Sequence, residues 1–132
     1  MIVDSSALLA ILFAEEDRER FAAALDAAPT PRLSAVNFVE AAVRVDMGGN
    51  PIASDAFDDL IKAAGISVEP VTVEQAYLAR RAYRAYGRGS GSPARLNLGD
   101  CFAYALAKAK GEPLLFKGGD FGHTDVERVL TD

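Results

Sequence analysis

Short apolar segments alternate with longer helical patterns from one end of the chain to the other. The short segments are Ile2–Val3, Arg32–Leu33, 66–71 and 114–116, and helical periodicity fills the stretches between them. Strands that are separated by helices usually pair in parallel, through crossover connections. The order therefore predicts an α/β domain with a mainly parallel sheet and a helix content well above average.

Helix signals bound the stretches between these strands. Ser34, Thr72 and Asn97 stand where N-terminal caps are expected. Gly65 and Gly111 stand where helices end. Together with the spacing of the apolar residues, these signals predict helices over 7–12, 17–28, 35–47, 52–64, 73–86 and 98–110.

Length and composition limit the class of protein. The chain has 132 residues, which suits one domain over residues 1–132. Cys101 is the only cysteine, so an intramolecular disulfide and a multi-cysteine zinc site are excluded. No apolar stretch reaches the roughly 20 residues that cross a bilayer. The first residues carry no signal-peptide pattern. We therefore expect a cytoplasmic protein with no membrane contact.

The charge of the chain is unevenly distributed. The net charge is −5, yet the segment from Arg80 to Lys117 holds eight basic residues against two acidic ones. That segment is +6 and the rest of the chain is −11. Such asymmetry indicates either a surface that faces phosphates or a solvated helix face.

Two aspartates are predicted to lie at the same edge of the sheet. Asp4 directly follows the first strand, and Asp120 lies a few residues beyond the last. Ligands bind parallel α/β sheets outside the carboxyl ends of the strands, where these side chains would meet. Each also has a local interpretation: Asp4 as the N-cap of the first helix, and Asp120 as a residue of a glycine turn.

Two further acids lie among apolar residues of predicted helices. The neighbours of Glu40 are mostly apolar, and a carboxylate in such surroundings needs a partner. Arg44, one turn later, is one candidate partner, and a cation shared with other acids is the alternative. Asp100 lies in the first turn of a helix that Asn97 can cap, which accounts for part of its placement.

Carboxylates that converge on one sheet edge repel one another unless a cation lies among them. Oxygen ligands without histidine or thiol favour Mg²⁺ or Mn²⁺ over Zn²⁺. Such ions activate water for phosphodiester cleavage. Ser6 is a candidate hydrogen-bond partner of water or phosphate at this site. The alternative is a purely local role in the first turn of its helix.

Four sequence features occur in an order and spacing that resemble the PIN-domain ribonucleases, and specifically the VapC toxins of bacterial toxin–antitoxin pairs. They are Asp4-Ser5-Ser6-Ala7, Glu40 within a helix, 96–101 (LNLGDC) and 118–121 (GGDF). The ending 114–121, with His123-Thr124-Asp125, also resembles this family. One departure is Gly119, which stands where the family often has asparagine.

The resemblance implies a three-layer α/β/α sandwich with a mainly parallel central sheet, and a single PIN-like nuclease domain over 1–132. It implies a Mg²⁺-dependent endoribonuclease, with Mn²⁺ as a plausible substitute, that a VapB-type antitoxin inhibits and that forms a homodimer. The catalytic and metal-binding acids are then Asp4, Glu40, Asp100 and Asp120, with Ser6, Asn97 and Asp125 as accessory residues.

Arg88, Arg95 and Lys117 are candidate RNA contacts, because phosphates need cations and two of the three flank a Gly/Ser loop. His123 is interpreted as a surface or loop residue, and Cys101 as a small buried side chain. Two alternative functions stay open. One is a phospho-accepting regulatory domain, with Lys117 after a strand, and the other is a non-catalytic interaction module of the same fold.

Overall fold

The computed structural model describes residues 1–131 and contains a four-stranded parallel sheet. The strands are β1 (Ile2–Val3), β2 (Arg32–Ser34), β3 (Ser67–Glu69) and β4 (Leu114–Leu115). Their spatial order is β3-β2-β1-β4, and every pairing is parallel. The predicted α/β class is confirmed, and β1 and β4, the first and last strands along the chain, are neighbours.

Six α-helices connect the strands at positions within two residues of the prediction. They are α1 (Ser5–Leu12), α2 (Arg18–Ala27), α3 (Ala35–Asp46), α4 (Pro51–Ala63), α5 (Val73–Tyr86) and α6 (Leu98–Lys110). The predicted caps are present: the side chains of Ser34, Thr72 and Asn97 accept backbone N–H groups of the first turns. Gly111 ends α6 in the left-handed conformation, with φ 65°.

Two of the predicted elements differ from the structure. The strand expected over 66–71 is confined to Ser67–Glu69, and Asp120 begins a 3₁₀ helix, Asp120–His123, rather than lying in a simple turn. A glycine-rich segment has no hydrophobic period, so the pattern could not distinguish these two forms.

Successive strand residues point to opposite faces of the sheet and divide the core into two layers. Ile2 and Leu114 pack with α5 and α6, whereas Val3 and Leu115 pack on the other face with α1, α2 and residues of α3 and α4. Helices therefore cover both faces, and the predicted three-layer sandwich is confirmed. No helix within residues 1–131 is long and apolar enough to cross a membrane.

An ion-pair network surrounds Arg32 at the amino end of β2. Arg32 of β2 pairs with Glu69 at 2.7 Å and with Glu112 at 3.1 Å, and the N-terminal ammonium also pairs with Glu112. Charges at this end are balanced by partners within the chain. Beyond the carboxyl end of β1, Asp4 forms no ion pair within residues 1–131, and neither does Asp100 at the start of α6.

Candidate active site

Asp4 follows β1 at the carboxyl edge of the sheet and is the N-cap of α1, as one of its two interpretations predicted. As the N-cap of α1, its Oδ2 accepts a hydrogen bond from the Ser6 backbone N–H at 3.0 Å and from Ser6 Oγ at 2.6 Å. The side chain is nonetheless buried, and its Oδ1 has no hydrogen-bond partner within residues 1–131. A cap needs only one oxygen, so the second is available for another ligand.

The environment of Asp4 disfavours its charged form. The pKa of Asp4 is raised from 3.8 to about 7, with burial as the largest cause; the Asp100 and Glu40 carboxylates also raise this pKa, and the Ser6 hydrogen bonds oppose the change. The dependence on Asp100 and Glu40 shows that the three carboxyl groups share one region. The charges of these three acids therefore interact.

Asp100 is held by a capping box at the start of α6. Its Oδ2 accepts the Asn97 backbone N–H at 3.0 Å, while Asn97 Oδ1 accepts the Asp100 N–H at 2.8 Å. Burial raises the pKa of Asp100, as do the charges of Glu40 and Asp120, while the Asn97 hydrogen bond and the Arg88 charge lower it. Asn97, predicted as an accessory residue, thus fixes the orientation of this carboxylate.

Glu40 differs from the expectation of apolar surroundings, because it is exposed on α3 and its apolar neighbour Val39 is itself 54% exposed. Its Oε1 accepts a hydrogen bond from Ser5 Oγ and a long one, 3.4 Å, from Asn37 Nδ2. Within residues 1–131, Arg44 forms no ion pair with it. The local explanation by an Arg44 partner is therefore wrong.

Gly99 brings α6 against the Glu40 carboxylate. A Cβ at this position would lie 2.0 Å from Glu40 Oε2 and 2.7 Å from its carboxyl carbon. Asn37 spans the same junction, since its Nδ2 donates to the Gly99 carbonyl at 3.0 Å while the residue is fully buried. The glycine therefore leaves the Glu40 carboxylate room to lie against α6 in this position.

Asp120 is exposed at the start of the 3₁₀ helix, and its charge raises the pKa of Asp100, which places it at the open side of the cluster. A Cβ at Gly119 would meet no atom within 4 Å, so the departure from asparagine reflects no steric demand.

Asp125 has other partners: Oδ1 accepts from the Tyr104 hydroxyl at 2.6 Å, and Oδ2 pairs with Lys108 at 3.0 Å. We leave Asp125 out of the site.

Ser6 links the ends of β1 and β4. Its Oγ donates to Asp4 Oδ2 and accepts the Lys117 backbone N–H at 3.0 Å. Sequence reasoning singled out Ser6 but missed Ser5 and Asn37. Asn37 precedes Glu40 by three residues, a spacing that places two side chains on the same helix face, and this is the signal that could have found it.

The predicted cations differ in their availability. Arg88 is exposed and near enough to Asp100 to lower its pKa, and Arg95 is exposed in the loop before α6. Lys117 Nζ instead pairs with Glu15 at 2.6 Å and lies 3.9 Å from Asp17. Its backbone N–H, rather than its ammonium group, contacts the site residue Ser6.

Cys101 and His123 do not add nucleophilic chemistry to the cluster. Cys101 is fully buried, and burial followed by the Asp100 charge raises the pKa of its thiol to about 11. The thiol is therefore protonated at neutral pH. His123 is exposed in the 3₁₀ helix, as expected of a surface residue.

The four acids fit a divalent cation by their chemistry, although their side chains are not gathered for coordination. Within residues 1–131, no three Asp, Glu, His or Cys side chains already form a metal-binding group. The available donors are oxygens, one of them the unpartnered and buried Asp4 Oδ1. The pKa values of Asp4 and Asp100 are both raised, so a cation would stabilise the charged forms of both.

Known proteins that resemble this chain in sequence or in structure indicate its family. The PIN domain profile matches residues 1–127. Ribonuclease VapC28 of Mycobacterium tuberculosis is 54% identical over 130 residues, which are 98% of each chain. Among solved structures, the sarcin–ricin-loop-cleaving toxin VapC20 of M. tuberculosis has a TM-score of 0.72 at 19% identity, over 95% of each chain. A toxin–antitoxin complex from Klebsiella pneumoniae has a TM-score of 0.69 at 17% identity, over 94% of this chain and 92% of that one.

Proposed function

The chain belongs to the PIN-domain family and is a ribonuclease of the VapC type, and from this premise we propose that its chemistry takes place at Asp4, Glu40, Asp100 and Asp120. The protein is the toxin of a toxin–antitoxin pair. In the proposed reaction, water attacks a phosphodiester bond of RNA, and the carboxylates hold the divalent ions that the reaction needs.

The observation that carries the proposal is the state of Asp4. One of its oxygens is fixed by Ser6, and the other is buried and unpartnered beside two further carboxylates. A carboxylate in this position costs stability unless a cation accompanies it, so a purely structural role does not explain it.

PIN-domain nucleases of the VapC type generally depend on divalent metal ions. We propose Mg²⁺ as the ion here, with Mn²⁺ as a substitute, because all the candidate donors are hard oxygens. Asp4 and Asp100 would hold the ion most directly, and Glu40 and Asp120 would complete its surroundings. When bound, such an ion lowers the pKa of water and stabilises charge on the leaving oxygen.

The residues of the chain hold this arrangement before any ligand arrives. Ser6 orients Asp4, Asn97 orients Asp100, and Ser5 orients Glu40 through hydrogen bonds to one oxygen of each carboxylate. Of the remaining oxygens, Asp4 Oδ1 has no hydrogen-bond partner within residues 1–131. Such preorganisation is the main contribution that a protein makes to electrostatic catalysis.

We further propose an RNA substrate, a VapB-type antitoxin and a homodimer as the partners, and a cytoplasmic location. A solved structural relative is a toxin–antitoxin complex. Apolar side chains are exposed on α3 beside Glu40, at Val39 and Val43, and also where α3 leads into α4, with Met47 and Ile52 82% and 79% exposed, which suits a protein partner. The complete set of four acids argues against a non-catalytic module, and the family assignment replaces the phospho-accepting alternative.

The test is RNA cleavage by the purified protein and by two variants, Asp4→Asn and Asp100→Asn. We expect cleavage that requires Mg²⁺ or Mn²⁺, that EDTA abolishes, and that falls at least about a hundredfold in each variant, as when one essential catalytic group is removed. Asp58→Asn, an exposed aspartate on α4, is the matched control and should leave the rate unchanged. Undiminished cleavage by both site variants would refute the assignment.

A further inference from the structure

A second polar feature lies next to the acidic cluster, behind the segment 117–119. It is a hollow of about 280 Å³, which we call the arginine hollow, and its lining includes Arg20 of α2, Phe116 and Arg128. The backbone of Gly118, Gly119 and Gly122 forms one wall. The same segment leads directly into Asp120, so the hollow and the cluster share one wall.

The two arginines give the hollow its surplus positive charge. Each donates one hydrogen bond to a backbone carbonyl at 3.1 Å, Arg20 to that of Thr131 and Arg128 to that of Gly122. Neither pairs with an acid within residues 1–131, although Asp17 also lines the hollow. A guanidinium has five N–H donors, so most of the donors of both remain available.

Gly122 lets the Arg128 side chain lie against the wall. A Cβ on Gly122 would lie 2.9 Å from Arg128 Nη2 and 3.3 Å from its guanidinium carbon. The guanidinium is therefore seated on the backbone, beside glycines that bring no side chains into the hollow. Planar donors on an open, polar wall suit an anion with several oxygens, such as a phosphate.

An acidic catalytic cluster repels a polyanion, and the chain as a whole carries −5. Cations within about 10 Å, the Debye length at 0.1 M salt, can offset that repulsion. Lys117 contributes little, because Glu15 and Asp17 balance its charge. Among residues 1–131, Arg20 and Arg128 line the hollow and form no ion pair.

We propose that the arginine hollow binds a backbone phosphate of the RNA strand next to the phosphodiester that is cleaved, and so sets the position of the strand across the cluster. The proposal rests on the proposed function, since it takes RNA as the substrate. It assigns RNA contact to Arg20 and Arg128, which lie outside the basic segment 80–117.

The test measures RNA binding separately from cleavage. The Asp100→Asn protein, in fixed Mg²⁺, is titrated with a fluorescein-labelled single-stranded RNA of about 12 nucleotides in mixed sequence, over a range of salt concentrations. A single-strand phosphate contact contributes about 0.7 to the slope of log K against log salt. Because the hollow is proposed to bind one phosphate, we expect the R20Q/R128Q substitutions to make the slope shallower by about 0.7 and to lower the affinity at low salt at least about tenfold.

Two matched variants control for charge and for folding. Lys62→Gln removes an exposed cation from the last turn of α4, at the opposite end of the sheet, and should leave the slope unchanged. R20K/R128K keeps both charges and should keep the slope while weakening binding only a few-fold. If the slope becomes shallower by the same amount in R20K/R128K, the substitutions have disrupted the structure of the hollow rather than removed its charge. That result would overturn the proposal.

The results separate this proposal from the proposed function. If the slope is unchanged in R20Q/R128Q and the wild-type protein cleaves RNA normally, only the proposal that the arginine hollow binds a phosphate is overturned. A wild-type protein that does not cleave RNA overturns the proposed function, whereas a slope that still depends on the two arginines would support the hollow as an RNA contact.

Discussion

Replacing Asp4 with asparagine should stabilise the folded protein at neutral pH while abolishing its activity. Asparagine is as good an N-cap as aspartate, and its side-chain oxygen can still accept the Ser6 N–H. The substitution therefore keeps the local structure of α1. It removes a buried carboxylate that lies beside Asp100 and Glu40.

The expected change in the free energy of unfolding follows from the pKa of Asp4. A rise from 3.8 in the unfolded chain to about 7 in the folded one corresponds to about 4 kcal/mol of lost stability once Asp4 is ionised in both states. Asparagine introduces a buried N–H group, which costs about 1–3 kcal/mol if it finds no acceptor. We expect a net gain of about 1–3 kcal/mol at pH 8.

The sign of the pH dependence is fixed by which state holds the proton. Below about pH 4, Asp4 is protonated in both states and the penalty is absent. Between pH 4 and about 7, the folded state keeps the proton that the unfolded chain loses, so the stability of the wild-type protein falls as the pH rises. Above about pH 7 the penalty is complete.

Urea denaturation without divalent ions, at pH 4.5 and pH 8, measures the difference. We expect the free energy of unfolding of Asp4→Asn to exceed that of the wild type at pH 8, and the gain to be largely lost at pH 4.5. Asp58→Asn, which is exposed, should show neither effect. A variant that is less stable than the wild type at pH 8, or a difference independent of pH, would refute the reasoning.

Three further predictions concern the surroundings of the cluster. Gly99→Ala places a methyl group 2.0 Å from Glu40 Oε2, so RNA cleavage should fall at least about tenfold in rate assays, whereas Gly48→Ala should match the wild type. Ser5→Ala removes the hydroxyl that orients Glu40. It should lower the single-turnover rate about tenfold while RNA affinity is retained, and an equal loss of affinity would contradict a positioning role. The thiol of Cys101, buried and with its pKa raised to about 11, should react with iodoacetamide at pH 8 only after unfolding in urea, as mass spectrometry would show.

The sequence predicts the order of the elements well because the relevant signals are local. The spacing of apolar residues, the caps Ser34 and Thr72, and the left-handed Gly111 act over one or two turns. The meeting of Asp4 with Asp100 also follows, since the carboxyl ends of parallel strands and the helix beside them share one edge.

Contacts between distant parts of the chain could not be predicted in this way. Val39 is apolar and yet exposed. The helical period shows which residues form the apolar face of a helix, but not which part of that face other elements cover. Lys117 was a plausible RNA contact until the fold placed Glu15 against it, from 102 residues away. The bond from Ser5 to Glu40 spans 35 residues and has no signature in either segment.

The pairing of β1 with β4 has a consequence for the order in which the protein is made. Ile2 and Val3 are synthesised before all six helices, whereas their partners Leu114 and Leu115 are synthesised after them, and Asp120 follows. A nascent chain that already carries Asp4, Glu40 and Asp100 still lacks the strand that orders the Ser6 contact with Lys117. A shorter nascent chain therefore holds an incomplete acidic cluster, and the proposed nuclease site is assembled only after β4 has joined the sheet beside β1.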